Sequence, residues 1–219
     1  DLVALATVAD MVPLLDENRV FVKYGLYVLS KTKRVGLREL MNIAKIKPVI
    51  IDNDLIETNL NPHTIGFQIA PRINAASRMD HANVSYELLT TKLLSRAREL
   101  AEGLEQKNKK RQKITEEIIR EIKARFSSQG GSVSDRNKKL KLIFEYGEDW
   151  PAGILGIIAG KLSDKYYAPA FVCSKKDNIT VCSARSIPSF NVTEAIAKSK
   201  DILENFGGHP QAAGLTIKN

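Results

Sequence analysis

The fold is decided by residues 85–126, which read SYELLTTKLLSRARELAEGLEQKNKKRQKITEEIIREIKARF. The stretch has no proline and one glycine, Gly103, and its apolar residues recur with the period of an α-helix. This spacing predicts one helix of about 60 Å, or two collinear helices. Its centre, residues 105–113, is polar all round, which is typical of a helix that crosses solvent between two domains. We therefore expect one domain on each side of it.

The part after this helix has the pattern of an α/β domain. Residues 127–139 include Ser-Ser-Gln-Gly-Gly-Ser-Val-Ser, the composition of a flexible loop. Beyond residue 140, short apolar runs alternate with helical periods, so the sequence predicts a mixed sheet with helices. The predicted elements are strands at 141–146, 170–174, 179–184 and 215–217, and helices at 153–166 and 192–205.

The part before the helix opens on an apolar run. Residues 1–9 read DLVALATVA, and this run predicts a strand buried on both faces that ends at Asp10. Two packed helices are expected next, at 18–30 and 36–46. Their apolar positions at helical spacing are Val20, Tyr24, Tyr27 and Val28 in the first, and Leu37, Leu40, Met41 and Ala44 in the second.

The charge of the chain indicates a polyanionic partner. Its 219 residues are 43% hydrophobic and 26% charged, an ordinary globular composition that argues against a disordered chain. The formal net charge is +8, and Lys and Arg that neutralise phosphates gain affinity for nucleic acid by releasing counterions. Residues 81–140 hold 14 Lys and Arg against 8 Asp and Glu, so the basic character is concentrated in the middle of the chain.

The two cysteines, Cys173 and Cys182, lack the spacing of a metal site or of a small disulfide-rich domain. We therefore predict reduced thiols and a cytoplasmic protein. No apolar run approaches the roughly 20 residues needed to cross a bilayer, so no membrane partner is expected. Residues 1–13 also lack the basic start of a signal peptide.

Asp10 is the first candidate site residue. The carboxyl ends of strands in α/β sheets are where ligands and metals are usually bound, and a carboxylate there suits Mg²⁺ or Mn²⁺. The alternative is that Asp10 caps the following turn.

The segment Ala70–Arg78 places two guanidinium groups, Arg72 and Arg78, among small residues that permit close backbone approach. Arginine forks bind phosphate oxygens bidentately. Two solvated arginines in a loop are the alternative interpretation.

Two segments near the end of the chain carry further polar groups. Ser183 and Arg185 follow a predicted strand and could point into a cleft, or could simply be a polar strand end. The run Gly207-Gly208-His209 frees the backbone to approach a ligand and offers a donor to phosphate. Its alternative is a helix C-cap glycine after Phe206 with a buried histidine.

Four motifs in order resemble those of the RecJ exonucleases in the DHH phosphoesterase superfamily, over almost the whole chain. They are Thr7-Val8-Ala9-Asp10, Pro71-Arg72-Ile73-Asn74-Ala75-Ala76, Ser183-Ala184-Arg185-Ser186-Ile187 and Gly207-Gly208-His209-Pro210-Gln211-Ala212-Ala213-Gly214. Two departures stand out. Trp150-Pro151 replaces the family's Trp-His, and Ser77 stands where its Ala-Ala-Gly-Arg has glycine.

The resemblance implies a C-terminal portion of such a protein. Residues 1–84 would be the end of a DHH domain, residues 85–126 the interdomain helix, residues 127–139 a loop and residues 140–219 a substrate-binding DHHA1 domain. Asp10 would be the last metal-binding, catalytic aspartate, with the other metal ligands upstream of residue 1. The substrate-binding residues would be Arg72, Asn74 and Arg78 in the cleft, Ser183 and Arg185 at the terminal phosphate, and Gly207, Gly208 and His209 in the substrate loop.

The implied activity is 5′-to-3′ degradation of single-stranded DNA by two-metal hydrolysis with Mn²⁺ or Mg²⁺, in DNA repair or recombination. One alternative is a smaller DHH-DHHA1 phosphodiesterase acting on oligonucleotides or cyclic dinucleotides. Another is a non-catalytic nucleic-acid-binding module, since one carboxylate cannot assemble the metal centre. Cations expected to track the DNA backbone, or else to form a solvated helix face, are Lys107, Lys109, Lys110, Arg111 and Lys113.

Overall fold

The computed structural model describes residues 1–79, 81–128 and 140–219. The chain divides into two compact units, residues 1–110 and residues 111–219. The division lies inside the polar stretch 105–113. Helix α6, Leu94–Ser128, contributes its first half to the first unit and its second half to the second. A mixed α/β fold with a long helix ahead of a five-stranded mixed sheet is thereby confirmed.

The first unit is mainly helical. Its largest core side chains that are fully buried include Leu29, Leu37, Leu40, Ile65 and Leu88. A two-stranded hairpin and one π-helical turn, Thr64–Ile69, interrupt the helices. The remaining elements are α1 (Leu2–Ala9), α2 (Asp16–Ser30), α3 (Val35–Ile43), β1 (Ile50–Asp52), β2 (Glu57–Thr58), α4 (Ala70–Met79) and α5 (Asn83–Thr90).

The predicted N-terminal strand is wrong, because residues 2–9 form helix α1. The Asp1 carboxylate caps this helix by accepting a 2.7 Å hydrogen bond from the Leu2 N–H. A Cβ atom at Gly25 of α2 would lie 2.4 Å from the Ala4 Cβ, so the two helices cross at small residues. Alanine and leucine favour the helix once a neighbouring helix buries one face.

Helix α2 is present as predicted, but its expected packing face is wrong. Val20, Tyr24 and Val28 are exposed by 52%, 51% and 42%, respectively. The buried side of the helix consists of Val22, Gly25, Leu26 and Leu29. Helix α3 buries Leu37, Leu40 and Met41, as expected.

The long helix begins later than predicted. Thr91 adopts an extended conformation with ψ of 143° and separates α5 from α6. Arg96 of α6 bridges this break by donating to both carboxylate oxygens of Glu87, at 2.6 and 2.8 Å. Helix α6 then continues through residues 127 and 128, which had been predicted as loop. The rest of that predicted loop, residues 129–139, lies outside the described residues.

The second unit is built on a five-stranded sheet in the order β3-β4-β5-β7-β6. Strands β3 and β4 are parallel, and the other pairs are antiparallel. Helix α7 joins the parallel pair and buries Ile154, Leu155 and Ile158. The elements are β3 (Ile143–Glu148), α7 (Ala152–Tyr166), β4 (Ala170–Lys176), β5 (Ile179–Arg185), α8 (Val192–Ala197), β6 (Asn205–His209) and β7 (Ala212–Lys218).

Strand β6 was not predicted. The sequence suggested a helix over residues 192–205, but α8 ends at Ala197 and a short 3₁₀ turn, Lys200–Ile202, follows. The strand Asn205–His209 is extended because it pairs in antiparallel register with β7. Neighbouring backbone, rather than its own side chains, determines this conformation.

The cysteines form a disulfide between β4 and β5, so the prediction of reduced thiols is wrong. Cys173 lies directly opposite Cys182 in the antiparallel register, with their Cα atoms 4.0 Å apart. Both residues are buried, and hairpin pairing alone brings them together. Within the described residues, every helix is too short or too polar to cross a membrane.

Arg125 connects the end of α6 to strand β3. It donates hydrogen bonds to the Tyr146 carbonyl at 2.6 Å and to Glu145 Oε2 at 3.3 Å, and it also pairs with Glu121. Its guanidinium carbon lies 5.6 Å from the centre of the Trp150 ring. Burial raises the pKa of the Glu145 carboxyl, although the charge of Arg125 opposes this shift.

Candidate nucleic-acid interface

Asp10 and Asn74 line one open depression of about 630 Å³ in the first unit. Asp10 ends α1, and the peptide N–H of Asp10 donates to the Ala6 carbonyl at 2.9 Å. Its exposed carboxylate accepts no hydrogen bond from any residue in the described ranges. The alternative in which this side chain caps the following turn therefore gains no support. The other residues that line the depression are Ala6, Thr7, Ala9, Val12 and Asn18.

This depression offers a divalent cation one carboxylate and a few neutral oxygen donors. Mg²⁺ and Mn²⁺ are commonly held by carboxylate oxygens, and two-metal centres need several of them. The parts of the chain that the structure describes contain no group of three or more His, Cys, Asp or Glu residues able to hold a metal. The residues present therefore do not complete a two-metal centre, although Asp10 is placed to contribute to one.

The segment expected to form an arginine loop is helix α4. Arg72 donates from Nε to Glu105 Oε2 at 2.7 Å and from Nη1 to the Gln68 carbonyl at 2.6 Å. The side chains of Arg72 and Glu105 are only 17% and 14% exposed. Arg72 thus joins α4 to α6, and its expected phosphate contact remains a prediction.

The small residues of this segment serve packing. Ala75 and Ala76 are fully buried, so they bring α4 close to its neighbours rather than to a ligand. Asn74 is half-buried beside Asp10, and Arg78 lies in the last turn of α4. The structure therefore brings Asn74 and Asp10 together, as a shared site requires.

In the second unit, the sheet register gathers the predicted polar residues on one face. Ser183 pairs with Gly214 of β7, which in turn pairs with Gly207 of β6. Two residues further on, Arg185, Ala212 and His209 form a second row. Since alternate residues of a strand share a face, both rows lie on the same side of the sheet, the side on which α7 packs.

Helix α7 leaves room for the arginine of this face. A Cβ atom at Gly156 would lie 2.9 Å from Arg185 Nη2 and 3.0 Å from Ser183 Oγ. Arg185 donates from Nη1 to the Ala184 carbonyl at 2.8 Å and lies 3.5 Å from Ser183 Oγ. Sequence reasoning did not assign Gly156 to the site, although a glycine inside an otherwise apolar helix is a sign of close packing.

The predicted glycine loop is a hairpin, and its two glycines differ. Gly208 has φ of 149°, and a Cβ atom there would lie 2.3 Å from the Ala212 carbonyl oxygen. A Cβ atom at Gly207 would meet nothing within 4 Å. The fold therefore requires glycine at 208, whereas Gly207 borders open space in the row that contains Ser183 and Gly214.

His209 is exposed, so the alternative of a buried histidine is wrong. Its carbonyl accepts a 2.7 Å hydrogen bond from Thr193 Oγ1, which fixes the backbone of the turn. The imidazole makes no hydrogen bond to the residues that the structure describes. It is therefore available to a ligand on the row that contains Arg185.

The expected basic track along α6 is divided between exposed and half-buried cations. Lys109 and Lys113 are exposed by 71% and 78% and pair with Glu105 and Glu117 at 3.5 and 3.9 Å. Lys110 is exposed, whereas Lys107 and Arg111 are half-buried.

The chain is similar to known proteins over its whole length. Residues 139–219 match the DHHA1 domain family. The single-stranded-DNA-specific exonuclease RecJ of Bacillus subtilis is 39% identical in an alignment of 220 positions that covers all of this chain and 26% of that protein. The Haemophilus influenzae protein of the same name is 32% identical in an alignment of 229 positions that covers all of this chain and 37% of the relative. The chain thus spans between a quarter and two-fifths of the length of these relatives.

Solved structures give the same result. The crystal structure of RecJ in complex with Mg²⁺ from Thermus thermophilus matches with a TM-score of 0.80 and 28% identity, over 98% of this chain and 30% of that one. The crystal structure of exonuclease RecJ bound to manganese matches with a TM-score of 0.76 and 29% identity, over 99% and 50%. Over its whole length the chain is therefore similar to a portion of the longer RecJ proteins, and its residues 139–219 match the DHHA1 domain family.

Proposed function

We propose that this chain is the substrate-holding portion of a 5′-to-3′ exonuclease that hydrolyses single-stranded DNA, with Mn²⁺ or Mg²⁺, in DNA repair or recombination. The observation that carries the proposal is the row of Arg185, Ala212 and His209 beside the row of Ser183, Gly214 and Gly207. The similarity to single-stranded-DNA-specific exonucleases, and the Mg²⁺ and Mn²⁺ in complex with RecJ in the solved structures, support it.

The chemistry of this face suits a terminal phosphate. The guanidinium of Arg185 offers a planar fork of donors that matches two phosphate oxygens. The Ser183 hydroxyl adds a donor next to Arg185, and the imidazole of His209, two strands away in the same row, adds another. Gly207 and Gly214 lack side chains, so a DNA backbone can approach the sheet closely.

We assign metal binding to the first unit and substrate binding to the second. Residues 1–84, as the end of a DHH domain, contribute Asp10 to a metal centre whose other ligands lie outside this chain. Residues 140–219 hold the substrate, and helix α6 connects the two parts. On this proposal the isolated chain binds DNA without cutting it. A cytoplasmic location is proposed because single-stranded DNA is an intracellular substrate.

For the isolated chain, a non-catalytic nucleic-acid-binding module is the second candidate. It is favoured by the single carboxylate, Asp10, in the depression of the first unit. A phosphodiesterase that acts on oligonucleotides or cyclic dinucleotides would use the same Gly207–His209 hairpin and is distinguished by its substrate.

The test compares this chain with a version extended upstream to include the remaining metal ligands. Both are incubated with Mn²⁺ and with 5′-phosphorylated single-stranded DNA, duplex DNA or a cyclic dinucleotide. We expect degradation of the single strand by the extended protein alone. Asp10→Ala should abolish cleavage and His209→Ala should weaken it, whereas the exposed controls Asp54→Ala and His81→Ala should leave it unchanged. An extended protein that binds DNA but never cuts it would overturn the proposal in favour of a binding module.

A further inference from the structure

A second cationic surface lies in the second unit, on the outer side of α7. A groove of about 430 Å³ runs between the second half of α6 and the second half of α7. Its lining residues are Glu116, Ile119, Arg120 and Lys123 from α6, and Lys161, Leu162 and Lys165 from α7. Four of these seven side chains are cations and one is a carboxylate. None of them belongs to the sites described above.

These cations are exposed and lack ionic partners among the described residues. Two neighbouring carboxylates of α6 are paired with other cations, since Glu117 pairs with Lys113 and Glu121 pairs with Arg125. Within each helix the cations are three or four residues apart, a spacing at which like charges repel and destabilise the helix. An anion bound in the groove would neutralise both rows at once.

The spacing of the groove fits a phosphate backbone. Lys161 and Lys165 are separated by a rise of about 6 Å, and Arg120 and Lys123 by about 4.5 Å. Ile119 and Leu162 line the same groove between the two rows of cations, and Leu162 is only 1% exposed. Lysine and arginine in two facing rows contact successive phosphates without reading base identity.

Helix α7 contributes residues both to the groove and to the packing against the sheet face. A Cβ atom at Gly160 would lie 3.9 Å from Arg185 Cγ, on the sheet side of α7. Lys161 is the next residue along the helix and points into the groove. A strand held by Arg185 therefore has only the width of one helix to cross before it meets the groove.

We propose that the groove between α6 and α7 binds the sugar-phosphate backbone of single-stranded DNA, as a second contact beyond the sheet face that holds the terminus. This inference rests on the proposed function and extends it. It predicts that Lys161 and Lys165 each neutralise a DNA phosphate and so release the counterions condensed on the DNA.

The test is the salt dependence of binding. Affinity of the full chain for a labelled oligothymidylate is measured by fluorescence anisotropy in EDTA over a series of KCl concentrations. For a single strand, the slope of log K against log salt is negative, and each lost phosphate contact makes it less steep by about 0.7. Lys161→Gln with Lys165→Gln should therefore make the slope less steep by about 1.4 and weaken binding roughly tenfold near physiological salt.

The matched control is Lys175→Gln with Lys176→Gln, which removes the same charge from two exposed lysines at the end of β4. Circular dichroism checks that each variant is folded. If the groove pair behaves like the control pair while Arg185→Gln still weakens binding, the groove inference is wrong and the proposed function stands. If the unaltered chain binds no oligothymidylate at all, both fail. Tighter binding of polyglutamate than of DNA, lost in the groove variants alone, would assign the groove to an acidic protein and overturn the proposal.

Discussion

Gly156 of α7 lies so close to Arg185 of β5 that a Cβ atom on residue 156 would come within 2.9 Å of Arg185 Nη2. The atom that would have to move is the far end of a flexible side chain. Helix α7 itself would gain from an alanine, since glycine inside a helix costs about 1 kcal/mol relative to alanine. We therefore conclude that glycine at position 156 leaves space for the Arg185 guanidinium.

Gly156→Ala should separate stability from binding. We expect the free energy of unfolding to stay level or rise by up to about 1 kcal/mol, while affinity for single-stranded DNA falls because Arg185 is displaced. Urea denaturation and fluorescence anisotropy measure the two quantities. The control is Gly103→Ala, because a Cβ atom at that helical glycine would meet nothing within 4 Å. Unchanged DNA affinity in Gly156→Ala would show that the position of Arg185 is unimportant.

The two hairpin glycines should respond in opposite ways. Gly208→Ala should destabilise the chain by about 1–3 kcal/mol, because alanine is strained at φ of 149° and meets the Ala212 carbonyl. Gly207→Ala should change stability by less than about 0.5 kcal/mol but weaken DNA binding, because its methyl group occupies open space on the proposed substrate face. Urea denaturation and anisotropy distinguish these effects. Equal stability losses in the two variants would contradict the hairpin geometry.

Glu105→Gln tests whether Arg72 contacts phosphate. Loss of the charge-assisted hydrogen bond should lower the free energy of unfolding by about 1 kcal/mol. Because the Arg72 guanidinium is then less firmly held, affinity for single-stranded DNA should rise. Glu117→Gln removes the same charge from an exposed pair with Lys113 and is the control. An affinity no higher than in the control would give Arg72 a purely structural role.

Glu145 should impose a pH dependence on stability. Burial raises its pKa above the ordinary value of 4.5, so the folded chain binds a proton that the unfolded chain has released. Stability is therefore lost as pH rises from 4.5 through the raised pKa. Glu145→Gln should remove this decline, whereas Glu148→Gln, exposed on the same strand, should retain it. Urea denaturation from about pH 4 to about pH 7 measures both. A decline that persists in Glu145→Gln would assign it to another group.

The sequence predicted the helical and α/β divisions of the chain because long periodic patterns dominate there. Residues 94–128 keep a helical period over many turns, and the strands of the second unit are short apolar runs between turns. The apolar run at residues 2–9 fits a buried strand and a buried helix equally well, and the contact of Ala4 with α2 favours the helix. The exposed face of α2 is similarly ambiguous, since Val20 and Val22 are equally apolar.

The two motifs of the second unit were predicted separately, and the sheet brings them together. Ser183 and Arg185 meet His209 through β7, whose register depends on long-range pairing that local sequence does not encode. The same dependence hid strand β6 and the opposition of Cys173 and Cys182. Gly156 was missed because its neighbour, Arg185, is distant in sequence.

The most direct test of the central claim compares the affinity of the chain for two oligothymidylates that differ only in a 5′-phosphate. Measurement by anisotropy in EDTA separates binding from cleavage. If the face formed by Ser183, Arg185 and His209 holds the terminal phosphate, the phosphorylated strand should bind about tenfold more tightly, a difference of about 1.4 kcal/mol. Arg185→Gln should remove that preference. Equal affinity of the unaltered chain for the two strands would contradict the account.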